Sequence, residues 1–130
     1  MKIAADTNVL VRAVVRDDKM QAEVAAKVLR NASLVAVAVS SLCEFVWVLR
    51  SVYRFPPSDI AKAIRALLAA ENVEVNRPAI DAGLAVLEEG DFADGVIAYE
   101  GKWLGAETFV SFDKKAVATL SSVGVLAQLL

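Results

Sequence analysis

The sequence predicts a three-layer α/β/α protein built on a central parallel sheet of four or five strands, and three observations lead there. Short apolar runs without polar alternation recur along the chain, amphipathic segments separate them, and Pro, Gly, Asn and Ser stand at the joints. Strands that alternate with helices form a parallel sheet covered on both faces, and such sheets bind ligands beyond the carboxyl ends of their strands. A chain of 130 residues can bury one core without disulfide or metal staples, so residues 1–130 are expected to form a single domain.

The elements follow in order. Lys2 to Ala5 is the first strand, and Thr7 to Arg16 opens the first helix. Asp17 to Leu29 continues as helix, with Met20, Val24 and Val28 on one face and Glu23 and Lys27 as an exposed pair one turn apart, until Asn31 and Ser33 break it. Leu34 to Val39 is Val-rich and unbroken by polar residues, as a central parallel strand should be. Ser40 and Ser41 start a helix through Tyr53, Pro56, Pro57 and Ser58 punctuate, and Ile60, Ile64, Leu67 and Leu68 mark another amphipathic helix. Val73 to Val75 is a third strand, and Pro78 suits the first turn of a helix carrying Ile80, Leu84 and Leu87 that ends near Gly90. Asp91 begins a helix to Leu104, closed by Gly105. Thr108 to Phe112 is the fourth strand, Asp113 to Leu120 a short helix, and Val123 to Leu126 a fifth strand.

Composition narrows the chemistry. A hydrophobic share of 57% and a mean hydropathy of +0.50 suggest doubly buried strands and an apolar oligomer interface. The longest pure apolar run, Leu34 to Val39, is far short of the ~20 residues a membrane span needs, and Asp6, Asn8 and Arg12 interrupt any signal sequence. The expected location is the cytoplasm, with no membrane partner. Cys43, the only cysteine, lies in the apolar run LCEFVWVL and reads as a structural thiol. Histidine is absent, which excludes Ser-His-Asp and Cys-His nucleophilic sites and nucleases with a histidine acid/base pair. The net charge of −2 gives no basic footprint of a simple nucleic-acid-binding module.

What remains is carboxylate chemistry. Acids recur where a structural segment ends and a helix starts: Asp6 in AADTN, Glu44 in SSLCE, Asp91 and Asp94 in DFAD, and Asp113 in VSFD. Each has a structural alternative, since Asp is a favoured N-cap and Ser41 with Glu44 has capping-box spacing. Capping explains each acid singly, whereas a doubly wound topology would carry Asp6, Glu44 and Asp113 to one edge of the sheet. Glu44 sits inside the apolar run LCEFVWVL, where an unpaired charge is costly and calls for a cation or a shifted pKa. Several facing carboxylates call for a positive centre, and an oxygen-only donor set suits Mg²⁺ or Mn²⁺. A metal-activated water and a cation steadying a phosphoryl group make phosphodiester hydrolysis the best-fitting chemistry.

The segments DTNVLVR, SSLCEFVWVL, DFADGVIA and ETFVSFDKKA, in this order, resemble the PIN-domain ribonucleases, and within them the VapC-type toxins of toxin–antitoxin pairs. The resemblance spans essentially the whole chain and implies a PIN-like α/β/α fold. It implies that Asp6, Glu44, Asp94 and Asp113 are the catalytic, Mg²⁺- or Mn²⁺-binding acids, with Asp91 auxiliary. Thr7, Asn8 and Ser111 fall where such proteins carry polar groups that orient the acids or a water, and turn chemistry is the preferred reading of Ser111. The resemblance further implies a homodimer, a cognate antitoxin covering the acidic pocket, and structured RNA such as tRNA or rRNA as substrate. Arg12, Arg16, Arg50, Arg54, Lys102, Lys114 and Lys115 are candidate RNA phosphate contacts. Trp47 and Trp103 read as core or interface rather than base-stacking platforms. Gly95 and Gly101 replace better helix formers, so the helix after Asp94 should be either looser or more closely packed than usual. The competing readings are a catalytically inactive PIN-like scaffold and, ranked lower, an Asp-based phosphotransfer domain.

Overall fold

A computed structural model describes all 130 residues. The strands are β1 (Lys2–Ala4), β2 (Leu34–Ala36), β3 (Val73–Glu74), β4 (Phe109–Ser111) and β5 (Ala127–Leu129). The helices are α1 (Thr7–Val15), α2 (Lys19–Asn31), α3 (Val39–Ser51), α4 (Pro57–Ala69), α5 (Arg77–Leu87), α6 (Phe92–Trp103) and α7 (Lys114–Ser122). The chain forms two compact units, Met1–Val75 and Asn76–Leu130. No helix is long and apolar enough to cross a membrane.

The first unit holds a parallel sheet in the order β1-β2-β3, so the Val-rich strand is central as expected. Ile3 pairs with Val35, and Val35 with Val73, in one continuous register. Val35 is fully buried, and Leu10, Leu42, Phe45, Leu49, Ile60 and Ile64 supply the large core side chains from α1, α3 and α4. The second unit pairs β4 with β5, also parallel. The five strands therefore fall into ladders of three and two rather than one continuous sheet, within the expected α/β/α fold.

The central strand stops at Ala36, with Val39 already the first residue of α3, and two other boundaries differ from the sequence reading for local reasons. The first helical stretch breaks in two, because Arg16 turns left-handed at φ 58° and Asp18 then caps α2 by accepting from the Gln21 amide at 3.0 Å. Val123–Leu126 is not the fifth strand: Gly124, at φ 86°, closes α7 with bonds from its own amide to the Ser121 carbonyl and from the Val125 amide to the Leu120 carbonyl. Only after that reversal can β5 pair, at 127–129. Gly105 closes α6 by the same motif, as its place in the sequence suggests.

Helix α2 turns its small side chains inward. Ala22 and Ala25 are buried, while Met20 and Val24 of the apolar stripe are exposed. They line an open groove with Asn8, Val9, Arg12 and Val28. Much of the high hydropathy is likewise exposed, including Trp47, Trp103, Leu104 and Phe112. Neither tryptophan is a core residue, because each is C-terminal to or opposite the stripe its helix buries.

Candidate metal and nuclease centre

In the first unit the candidate acids are organised by Thr7, the only buried polar residue of the chain. It follows β1 directly and takes the first position of α1, for which Asp6 is the N-cap. Its amide donates to Asp6 Oδ1 at 2.9 Å. Its hydroxyl donates to Glu44 Oε2 at 3.0 Å, across 37 residues of sequence. One buried threonine thus ties both carboxylates, and the register that sets Ala4 beside Ala36 brings the starts of α1 and α3 to the same end of the sheet. Asn8 is exposed and lines the α1–α2 groove.

Glu44 is exposed rather than buried, contrary to the expectation of a costly interior charge. The reason is phase: α3 buries Leu42, Phe45, Val46 and Leu49, and helical periodicity puts Glu44 and Trp47 on the outer face. Nor is Glu44 part of a capping box, because α3 starts at Val39 after Ala38 and has no side-chain cap.

The second unit collects three acids. Asp91 is the N-cap of α6 and accepts from the Ala93 amide at 2.9 Å. Asp113 is the N-cap of α7 and accepts from the Lys115 and Ala116 amides at 2.9 and 3.2 Å. Ser111 Oγ accepts from the Asp113 amide at 3.0 Å, the turn role preferred for it from sequence. Asp94 lies in the first turn of α6 without a capping bond, and it is the acid whose environment is perturbed. Desolvation, followed by the charges of Asp91 and Asp113, pushes its carboxyl above the usual aspartate range. Lys114 and Lys115 are exposed beside Asp113.

Capping therefore accounts for Asp6, Asp91 and Asp113 but for neither Glu44 nor Asp94. A cleft of about 760 Å³ in the second unit is mainly apolar and lined by none of its three acids. Asp91 and Asp113 are exposed, and Asp94 is half-buried.

Gly95 explains how Asp94 is held. A Cβ there would stand 2.3 Å from the Ala82 carbonyl oxygen, so α6 lies against α5 at a distance only glycine permits. Gly101 differs, its nearest neighbour being the Ala106 Cβ at 3.9 Å. The expected departure in this helix is thus close packing at the first glycine and open space at the second.

The donor chemistry suits a hard cation, being carboxylate and hydroxyl throughout. No three Asp, Glu, Cys or His side chains are grouped so as to hold a metal ion by themselves. Magnesium does not require such a cage, since it commonly binds through one or two carboxylates, keeps several waters and takes the rest from substrate phosphate. Glu44, tied to Thr7, and Asp94, crowded by like charges, are the acids free of capping duty and suited to that part.

The sequence reading missed one polar network, at the break between α1 and α2. Asp17 accepts from Arg12 at 2.9 Å, from the Tyr53 hydroxyl at 3.2 Å and from the Asp18 amide at 3.1 Å. Partial desolvation pulls the Asp17 carboxyl up, but the Tyr53 and Arg12 hydrogen bonds, the Arg12 charge and the Asp18 amide together hold it below the usual range. The doubled Asp17-Asp18 was the available signal, because such a pair favours a cap over an uninterrupted helix.

Comparison with curated proteins finds no match. The family model of the PIN domain matches residues 3–119, a stretch that includes every candidate acid. PIN domains are generally metal-dependent nucleases and usually use Mg²⁺ or Mn²⁺. On that match and the α/β/α arrangement of its parallel strands and seven helices, the chain belongs to the PIN domain family.

Proposed function

We propose that this protein is a metal-dependent endoribonuclease, the toxin of a toxin–antitoxin module, acting on structured RNA such as tRNA or rRNA. The observation that carries the reading is Asp94, a half-buried acid with no capping bond whose carboxyl is raised by desolvation first and then by the charges of Asp91 and Asp113, a condition that a cation relieves. In this reading Asp6, Glu44, Asp94 and Asp113 are the essential acids, residues 1–130 work as one domain, and Asp91 is auxiliary.

Bound Mg²⁺ or Mn²⁺ supplies a water of lowered pKa and steadies the charge that develops on the scissile phosphate. The chain's own residues do the rest. Thr7 orients Glu44 through its hydroxyl and Asp6 through its amide. Asp94 and Asp113 keep their carboxylates at the starts of α6 and α7, where the helix dipoles favour negative charge. Lys114 and Lys115, exposed beside Asp113, are available to phosphate oxygens. The exposed apolar side chains support a homodimer and an antitoxin that covers the acids.

The test is brief expression without any antitoxin, followed by sequencing of RNA ends. New ends at defined sites, absent with Asp94→Ala, are expected. The same ends with both proteins, or none with the wild type, would sink the proposal.

A further inference from the structure

Four residues adopt positive φ: Arg16 at 58°, Arg54 at 59°, Gly105 at 106° and Gly124 at 86°. Helices α6 and α7 end in the usual way, on glycine. The corners after α1 and α3 place arginine where a side chain is disfavoured and glycine or asparagine would fit without strain. Residues in such sparsely populated conformations persist only where the surrounding structure over-determines them, and they cluster at functional sites.

The two corners are joined. Arg16 directly precedes Asp17 and Arg54 directly follows Tyr53, and the Tyr53 hydroxyl donates to Asp17 at 3.2 Å. Helices α1 and α3 are therefore pinned twice, by Thr7 on Glu44 at one end and by Tyr53 on Asp17 at the other. Nearby charges are already engaged: Asp17 by Arg12 at 2.9 Å, and Asp18 as the cap of α2. Arg12, a candidate for phosphate from sequence, is thus committed within the protein. Arg16 and Arg54 are exposed and make no side-chain hydrogen bond or ion pair. Each follows an acid of the site by ten residues, Arg16 after Asp6 and Arg54 after Glu44. Along α1 that is about 15 Å, the length of roughly four stacked nucleotides.

We propose that Arg16 and Arg54 form a two-arginine clamp for the RNA backbone, gripping phosphates a few nucleotides away from the bond that is cut. This rests on the ribonuclease reading and adds to it a positioning site outside the acids. Their strained corners fix where both guanidinium stems leave the backbone, and the Asp17–Tyr53 bond fixes their relative position. Guanidinium suits the role because it presents paired donors to phosphate and never loses its charge.

The test uses the full chain in EDTA, with a labelled RNA hairpin titrated across a range of KCl. Wild type is compared with Arg16→Gly/Arg54→Gly and with Arg16→Lys/Arg54→Lys. The glycine pair should melt at or above the wild-type temperature, because it relieves both corners, yet bind the hairpin at least tenfold more weakly. Its slope of log affinity against log salt should fall by about 1.4–1.8, the contribution of two phosphates. The lysine pair should keep most of that slope.

An unchanged slope in the glycine pair, with the wild type binding and cutting RNA in Mn²⁺, overturns the clamp and leaves the ribonuclease reading standing. A lysine pair as weak as the glycine pair, or a glycine pair that melts below wild type, makes the arginines structural and also overturns it. Wild-type preference for a polyglutamate peptide of equal charge would assign them to an acidic protein instead. No binding and no Mn²⁺-dependent cutting by the wild type would remove both readings together.

Discussion

Gly95 is the position at which a single methyl group should do most damage near the proposed site. Its Cβ would meet the Ala82 carbonyl oxygen at 2.3 Å, the Ala82 carbonyl carbon at 2.8 Å and Val86 Cγ2 at 2.8 Å. The first two are backbone atoms of α5 and cannot rotate away, so α6 must move as a body. Overpacking a well-filled contact costs roughly 1–3 kcal/mol, and a collision with backbone belongs at the upper end. Alanine's better helix propensity offsets about 1 kcal/mol, leaving Gly95→Ala destabilised by about 2 kcal/mol, or roughly 6–10 °C in melting temperature. Gly101→Ala is the internal control, because its Cβ would have only Ala106 at 3.9 Å. The same propensity term should there stabilise by up to about 1 kcal/mol. Thermal melts followed by circular dichroism, with urea titrations to confirm an unchanged m-value, separate the two. A Gly95→Ala variant as stable as wild type would refute the close-packing argument, and with it the account of how Asp94 is held.

Two further outcomes follow from the polar contacts. Thr7→Val removes a buried hydroxyl and the bond it donates to Glu44, at a cost of about 1–2 kcal/mol. Thr7→Ser should retain most of that stability and RNA cleavage, whereas Thr7→Val should cut more slowly even at temperatures where it is fully folded. For Asp94, the folded pKa lies above the unfolded value, so the folded state holds the proton more tightly and wild-type stability falls as pH rises through that window. Asp94→Asn should therefore melt above wild type at pH 7, by a margin that shrinks on acidification and vanishes below the ordinary aspartate value of 3.8. A margin independent of pH would mean that the Asp94 charge is not under strain.

How much of this was legible in the sequence depended on whether the signal was local. The unbroken Leu34–Val39 run announced the central strand, Gly105 announced the end of α6, and Pro57 and Pro78 marked the starts of α4 and α5. The fifth strand was misplaced because Val123 and Val125 look like strand while Gly124 between them closes a helix. The α1–α2 break was hidden for the opposite reason, since nothing in Arg16 itself advertises a left-handed corner. At the site, capping could be foreseen for Asp6, Asp91 and Asp113 from residue type alone. The outward phase of Glu44 was harder to foresee, because it depends on which face of a largely apolar helix the core selects. The Thr7–Glu44 bond joins residues 37 apart, and no local pattern encodes it.

The most direct measurement is cleavage of a purified, end-labelled tRNA by the purified protein in Mn²⁺, with Asp6→Asn and Asp94→Asn as single variants, one from each compact unit. Site-specific cutting by the wild type, stopped by EDTA and lost in both variants while their folds stay intact, is the expected result. Cutting that survives either substitution at the wild-type rate, or that proceeds equally well in EDTA, would contradict a carboxylate-dependent metal nuclease.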